Sequence, residues 1–231
     1  MTSAAYQMNW SIEHLLTSDD RTDLTLERVK QHEGLPRFWP LETYVPEGLP
    51  APIIFAANFG YVTYTHFPSN DPQWPIMSRK MLDTLLAVRE FPHRAIPVAI
   101  TDPIVYRADP DPSPDFLEQR LKSANHDYVI VQLTQHLDIL NEEASGVERD
   151  PDMPWWVGID QYVLDIPASG LPPIFRLSIQ PAQLFILAEA RQALAAAGLA
   201  GPVYLPLNGY TNGGGEEVDV PVPVPEVPEG A

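Results

Sequence analysis

Apolar positions in this chain fall mostly into short runs, with few long periodic stretches. The clearest helical pattern is Ser78-Arg-Lys-Met-Leu-Asp-Thr-Leu-Leu-Ala-Val88, where Met81, Leu82, Leu85 and Leu86 share one face of a 3.6-residue period. Ser78 stands where a hydroxyl accepts from an orphan amide of the first turn, and Pro92 bounds the pattern. A helix over about 78–90 is predicted. A second helix is predicted over 188–197, rich in alanine, the strongest helix former, and stopped by Gly198. Pro114–Ser123 is a shorter candidate, with Phe116, Leu117 and Leu121 apolar. Strand patterns are more numerous: Ile53–Ala56, Tyr61–Phe67, Ala95–Ile100, Tyr128–Leu133, Gln161–Ile166, Ile174–Leu177, Leu184–Leu187 and Val203–Leu205. Most are β-branched or aromatic and bounded by Pro, Gly, Asn or Asp. A loose internal echo runs through them. Trp74-Pro-Ile-Met precedes the first helix and Val98-Ala-Ile follows it, while Leu184-Phe-Ile-Leu and Val203-Tyr-Leu flank the second. The expected class is α+β: a strand-rich mixed or antiparallel sheet with two main helices packed on it. Without regular β–α alternation, a doubly wound sheet is not expected.

The end of the chain breaks this pattern. Asn212-Gly-Gly-Gly-Glu-Glu217 is followed by Val220-Pro-Val-Pro-Val-Pro225, which favours extended, unpaired backbone. We expect one globular domain over 1–211 and a disordered acidic Pro/Val tail over 212–231.

Composition adds partners and exclusions. Of 231 residues 45% are hydrophobic, with 5 Trp, 9 Tyr and 8 Phe, and none is Cys. This is enough for a core burying roughly 70% of the unfolded surface. The lack of thiols rules out disulfides, thiolate catalysis and cysteine-held metal clusters. The 14 basic residues face 31 acidic ones, a formal net charge of −17. That argues against nucleic acid, whose phosphates need clustered Lys and Arg, and against anionic membranes, but it suits a basic protein partner. The charge is concentrated. Residues 138–165 hold eight carboxylates against Arg149 alone, and the tail holds five with no base. The opening residues lack a targeting pattern. The uncharged stretches Gly48–Asn70 and Gln192–Gly215 are interrupted by Pro or Gly, so neither is expected to cross a membrane. A cytoplasmic location is the expectation.

Chemical motifs are sparse. No Gly-rich phosphate loop and no Gly-x-Ser-x-Gly elbow occurs. The six histidines form no His-x-x-x-His pair. His136-Leu-Asp138 places an imidazole and a carboxylate two residues apart, and Asp109-Pro-Asp111 and Asp150-Pro-Asp152 pair carboxylates. Each is read as an acidic loop, with no cofactor and no metal expected. The feature that suggests an interface is Glu142, Glu143, Glu148, Asp150 and Asp152 leading into Trp155 and Trp156. Tryptophan anchors interfaces and an acidic rim steers a basic partner, so these seven residues are the candidate partner-binding set.

Several stretches recur in a family order: Trp74–Leu85, Tyr128–Leu133, Leu137-Asp138 with Glu143-Ala-Ser145, Pro173–Leu177, and Leu184–Leu194 with Ala197–Gly201. Over residues 71–207 the chain resembles immunity protein family 11 of bacterial polymorphic toxin systems; residues 1–70 match less. The resemblance implies a non-catalytic α+β protein that binds and neutralises a cognate toxin domain, with nucleases common among such toxins. It transfers no catalytic motif. It implies structural roles for Ser78, Asp138, Ser145, Phe175, Arg176 and Gly201, as a cap, turns, a core aromatic and a helix exit. Two rivals remain: a hydrolytic enzyme built from acids and His, centred on His136 and Asp138, and an interaction scaffold using the Pro-Val tail.

Overall fold

The structure is a computed structural model that describes residues 4–10, 26–28, 42–44, 49, 51–57, 65–70, 74–101, 114–152 and 157–207. Eleven strands and three helices lie within them. The strands are β1 (Ala5–Trp10), β2 (Glu27–Arg28), β3 (Ile53–Ala56), β4 (Ile76–Ser78), β5 (His93–Thr101), β6 (Tyr128–Leu133), β7 (Glu148–Arg149), β8 (Val157–Gly158), β9 (Ile174–Leu177), β10 (Gln180–Leu187) and β11 (Pro202–Pro206). The helices are α1 (Arg79–Val88), α2 (Pro114–Ser123) and α3 (Ala188–Ala196). The fold is α+β, as the sequence pattern predicts. The strands form two sheets and a ribbon instead of one sheet. A four-stranded sheet runs β11-β1-β10-β9, a five-stranded one β2-β3-β5-β6-β4, and β7-β8 make a two-stranded ribbon. The first is antiparallel throughout; the second is mixed, because β3 and β5 are parallel.

The internal echo has a definite topology. β4 and β5 both pair antiparallel with β6, so they run parallel to each other with β6 between them. β10 and β11 both pair antiparallel with β1, so they too are parallel with one strand between. Each helix is therefore the crossover of a split βαβ unit. The two helices pack together, and one apolar cluster joins them to both sheets. Met81, Leu82 and Leu85 of α1 and Ala190 and Leu194 of α3 meet Tyr6, Met8, Leu184 and Ile186 of the first sheet and Val129 and Val131 of the second. Strand alternation sends the next residues to the opposite faces. Phe175 and Phe185 point into a cluster behind the first sheet, and Ile130, Ile96 and Val98 into one behind the second. α2 lies over the far side of β3, where Leu121 packs on Ile54 and Ala56.

The helix ends follow local chemistry. Ser78 Oγ accepts from the Met81 amide at 3.1 Å. α3 has no side-chain cap; its first amide, on Ala188, donates to Ala4 O, and Glu189 places an acid in its first turn, where the helix dipole favours negative charge. It ends as the sequence predicts, with Gly198 at φ 66° and the Leu199 amide returning to Leu194 O, a Schellman closure.

Two expectations need correction. Gln161–Ile166 is not a strand: only Leu164 makes a bridge, to Leu140, because the Val163 amide is taken by the Ser145 hydroxyl. Thr65–Phe67, the described end of the Tyr61–Phe67 pattern, is a bend in which the Phe67 amide donates to Thr65 Oγ1. Tyr61–Tyr64 and the tail at 212–231 lie outside the described residues. Strand β1 had no predicted counterpart, yet it is an inner strand of the first sheet.

Candidate functional site

Residues 134–152 and 157–173, between β6 and β9, form a cap on the outer face of the first sheet. Ile159, Tyr162 and Leu171 bury themselves against Phe175, Leu177 and Phe185. Phe175 stacks on Phe185 at 5.3 Å, and Tyr162 meets Phe185 edge-on at 5.2 Å. The chain enters the cap along β9. The Leu137 amide donates to Arg176 O at 2.8 Å and the Ser178 amide to Leu137 O at 2.9 Å, so the edge of the sheet is covered.

Ser145 is the inner post of the cap. It is fully buried. Its carbonyl accepts from the Asp160 and Gln161 amides, its amide donates to Asn141 O, and its hydroxyl accepts from the Val163 amide at 3.1 Å. A turn residue in the sequence is thus a four-way tie in the structure. Gly146 follows at φ 62°, and the Asp160 carboxylate occupies the place where a Cβ would go.

This scaffold displays the acids outward. Asp138, Glu142, Glu143, Glu148, Asp152, Asp160 and Asp165 are exposed and Asp150 is half-buried. Arg149, the one Lys or Arg in the cap, forks onto Glu142 at 2.7 and 2.8 Å. Its hydrogen bond holds the Glu142 carboxyl below the usual carboxylate range, and the same bond raises the Arg149 guanidinium. Asp150 Oδ1 accepts from the Asp152 amide at 2.8 Å, an Asx turn. Five of the seven candidate partner-binding residues therefore sit on one cap; Trp155 and Trp156 lie outside the described residues.

The rival chemistries are placed as follows. Asp138 is exposed and His136 half-buried at the start of the cap. Asp109 and Asp111 lie outside the described residues. No group of three or more His, Asp or Glu converges among the described residues. One pairing escaped the sequence patterns: His66 Nδ1 lies 2.7 Å from Ser78 Oγ. A Ser–His contact invites a nucleophile reading, but Ser78 is buried and its oxygen already accepts from the α1 amide. Burial, and then the charge of Lys80, lower the His66 pKa. The residues are twelve positions apart, and no local motif links them.

Of the residues assigned structural roles by resemblance, Ser78, Ser145, Phe175, Arg176 and Gly201 are held in the core, a cap or a turn, whereas Asp138 is exposed. Phe175 is core, and Arg176 is 2% exposed, with Nη1 donating to Pro181 O and to Ala182 O. Gly201 adopts φ 130°, and a Cβ there would stand 2.8 Å from the Phe67 amide nitrogen.

No helix among the described residues is long and apolar enough to cross a membrane. No protein-family model matches the chain, and no curated protein matches it.

Proposed function

We propose that the chain is a non-catalytic immunity protein that acts in the cytoplasm and neutralises a cognate bacterial toxin domain by surface complementarity. The observation that carries this reading is the cap: seven exposed carboxylates and the half-buried Asp150 on a hydrogen-bonded scaffold, with the local arginine already consumed by Glu142. The resemblance of residues 71–207 to an immunity family supports it from the sequence side. Ile166, 50% exposed beside Asp165, adds an apolar contact to the acidic surface. A basic toxin face, such as a nuclease cleft, is the complement. Long-range attraction raises the on-rate, and salt screens it.

Co-expression with the product of an adjacent toxin gene tests the reading. The expected result is rescue of growth and a co-eluting complex whose association slows as salt is added. Glu143→Lys, Glu148→Lys and Asp152→Lys together should slow association by about tenfold or more and flatten its salt dependence. No rescue and no complex would refute the proposal.

A further inference from the structure

The neck of the cap carries a feature that surface charge does not explain. The chain enters the cap through Gln135–Leu137 and leaves it through Pro172, and a small cleft opens between these two passes and the start of β5. Its floor is Phe91, Leu133, Ile174 and Phe175, all buried. Pro92 and Gln135 are exposed at the rim, with Leu137 and Pro172 half-buried. The cleft is a shallow, open depression with a cavity volume of about 20 Å³, room for about one water. Small-molecule sites run to roughly 300–1,000 Å³, so this one is far too small for such a ligand and admits no more than the terminal methyl end of one side chain. Its lining carries no ionisable group.

Charges of both signs flank the cleft lining along the chain, and Arg94, two residues past Pro92, is exposed. Asp138 follows Leu137 directly and is exposed, as is Glu90 beside Phe91. Of the nearby cations, Arg89 is engaged within the protein: Nη1 donates to Leu171 O at 2.9 Å and Nη2 lies 3.7 Å from Glu189. An apolar socket at the base of an acidic cap has the anatomy of an interface anchor point, with a buried centre and a charged rim. Building on the immunity reading above, we infer that the neck cleft receives the terminal methyl end of one aliphatic side chain from a basic segment of the partner protein, whose flanking Lys or Arg residues lie against Asp138 and the acids of the cap.

The test titrates the full, isotope-labelled chain with the blocked peptide Lys-Lys-Leu-Lys-Lys, following backbone amides by NMR. Lys-Lys-Ser-Lys-Lys and Glu-Glu-Leu-Glu-Glu serve as controls. The leucine peptide should shift the amides of Leu133, Leu137 and Ile174, and bind at least about fivefold more tightly than either control. Two rim variants probe the two parts of the inference. Gln135→Trp covers the socket from an exposed position, and Asp138→Lys reverses the adjacent charge. Each should weaken the leucine peptide by about fivefold or more. Equal binding of the leucine and serine peptides, shifts confined to other surfaces, or unchanged affinity in Gln135→Trp overturns the inference. Rescue from the toxin separates the two levels. If wild type rescues and Gln135→Trp rescues equally well, the socket assignment fails and the cap reading survives. If wild type does not rescue, the immunity reading fails whatever the peptides do.

Discussion

Replacing Arg176 isolates what a buried, unpaired cation does in this fold. Across the β9–β10 hairpin, Leu177 pairs with Gln180 and Phe175 with Phe185, so Pro181 to Leu184 all lie opposite Arg176. The guanidinium fills that bulge by donating to Pro181 O and Ala182 O. No acid faces it among the described residues; burial alone pushes its pKa down to about 10. That depression corresponds to a burial cost on the order of 3 kcal/mol. Two charge-assisted hydrogen bonds, at about 1.5–3 kcal/mol each, offset it. Arg176→Met keeps the volume, removes the buried charge and gives up both bonds. Ala182 is exposed, so water can serve one of the freed carbonyls, and the Met variant should fall within about 1–2 kcal/mol of wild type. Arg176→Ala adds a cavity and should cost about 2–4 kcal/mol. Arg176→Lys keeps a more strongly hydrated charge without the fork, and should be less stable than Met. Urea unfolding followed by tryptophan fluorescence ranks the three. A Lys variant equal to wild type, beside a Met variant down by more than about 3 kcal/mol, would refute the reasoning. Positive charge, and not closure of the bulge, would then be what the position requires.

Leu85→Ala removes a fully buried side chain from the cluster joining both helices and both sheets, and should cost about 2–5 kcal/mol in the same assay. Gly201→Ala places a Cβ against Thr65 and 2.8 Å from the Phe67 amide nitrogen, at φ 130°. It should lower the thermal midpoint by the equivalent of about 1–3 kcal/mol, and an unchanged midpoint would mean the turn relaxes freely. Because the folded pKa of His66 lies below its unfolded value of 6.5, the unfolded chain takes up that proton first. Stability contributed by neutral His66 is complete above pH 6.5 and is lost as pH falls from there through the folded pKa. His66→Gln should therefore lose less stability than wild type between about pH 7 and 5; parallel losses would show that His66 does not contribute.

Local signals were readable and crossed ones were not. Helix α1 was legible because its face and its cap lie within a few residues, with Ser78 reaching the Met81 amide directly. β6 and β9 were legible as apolar runs, each ended by a polar residue or a turn. β1 was not, since Ala5-Tyr-Gln-Met-Asn-Trp10 has no β-branched residue. It is a strand because β10 and β11, far along the chain, pair with both of its edges. The stretch 161–166 misled for the converse reason: its alternation suits a strand, but Ser145 binds the Val163 amide across the cap.

The same division separates scaffold from candidate site. The two split βαβ units show as an echo in the sequence, and what they share is core. The cap is the connection between them, running from the end of β6 to the start of β9, and it has no counterpart in the echo. Connections longer than about 12–15 residues without secondary structure of their own are uncommon inside compact domains and are mostly functional or linkers; among the described residues, the strands of this one are only the two-residue β7 and β8. This one is much longer, and it is fastened by Ser145, by the Leu137–Leu177 bridge and by its own apolar underside. Burial and hydrogen bonding account for how its described part is fastened but not for its outward charge. The partner of opposite charge proposed above would supply a reason for the excess of carboxylates, and composition alone located the acids without showing that they lie on one fastened cap.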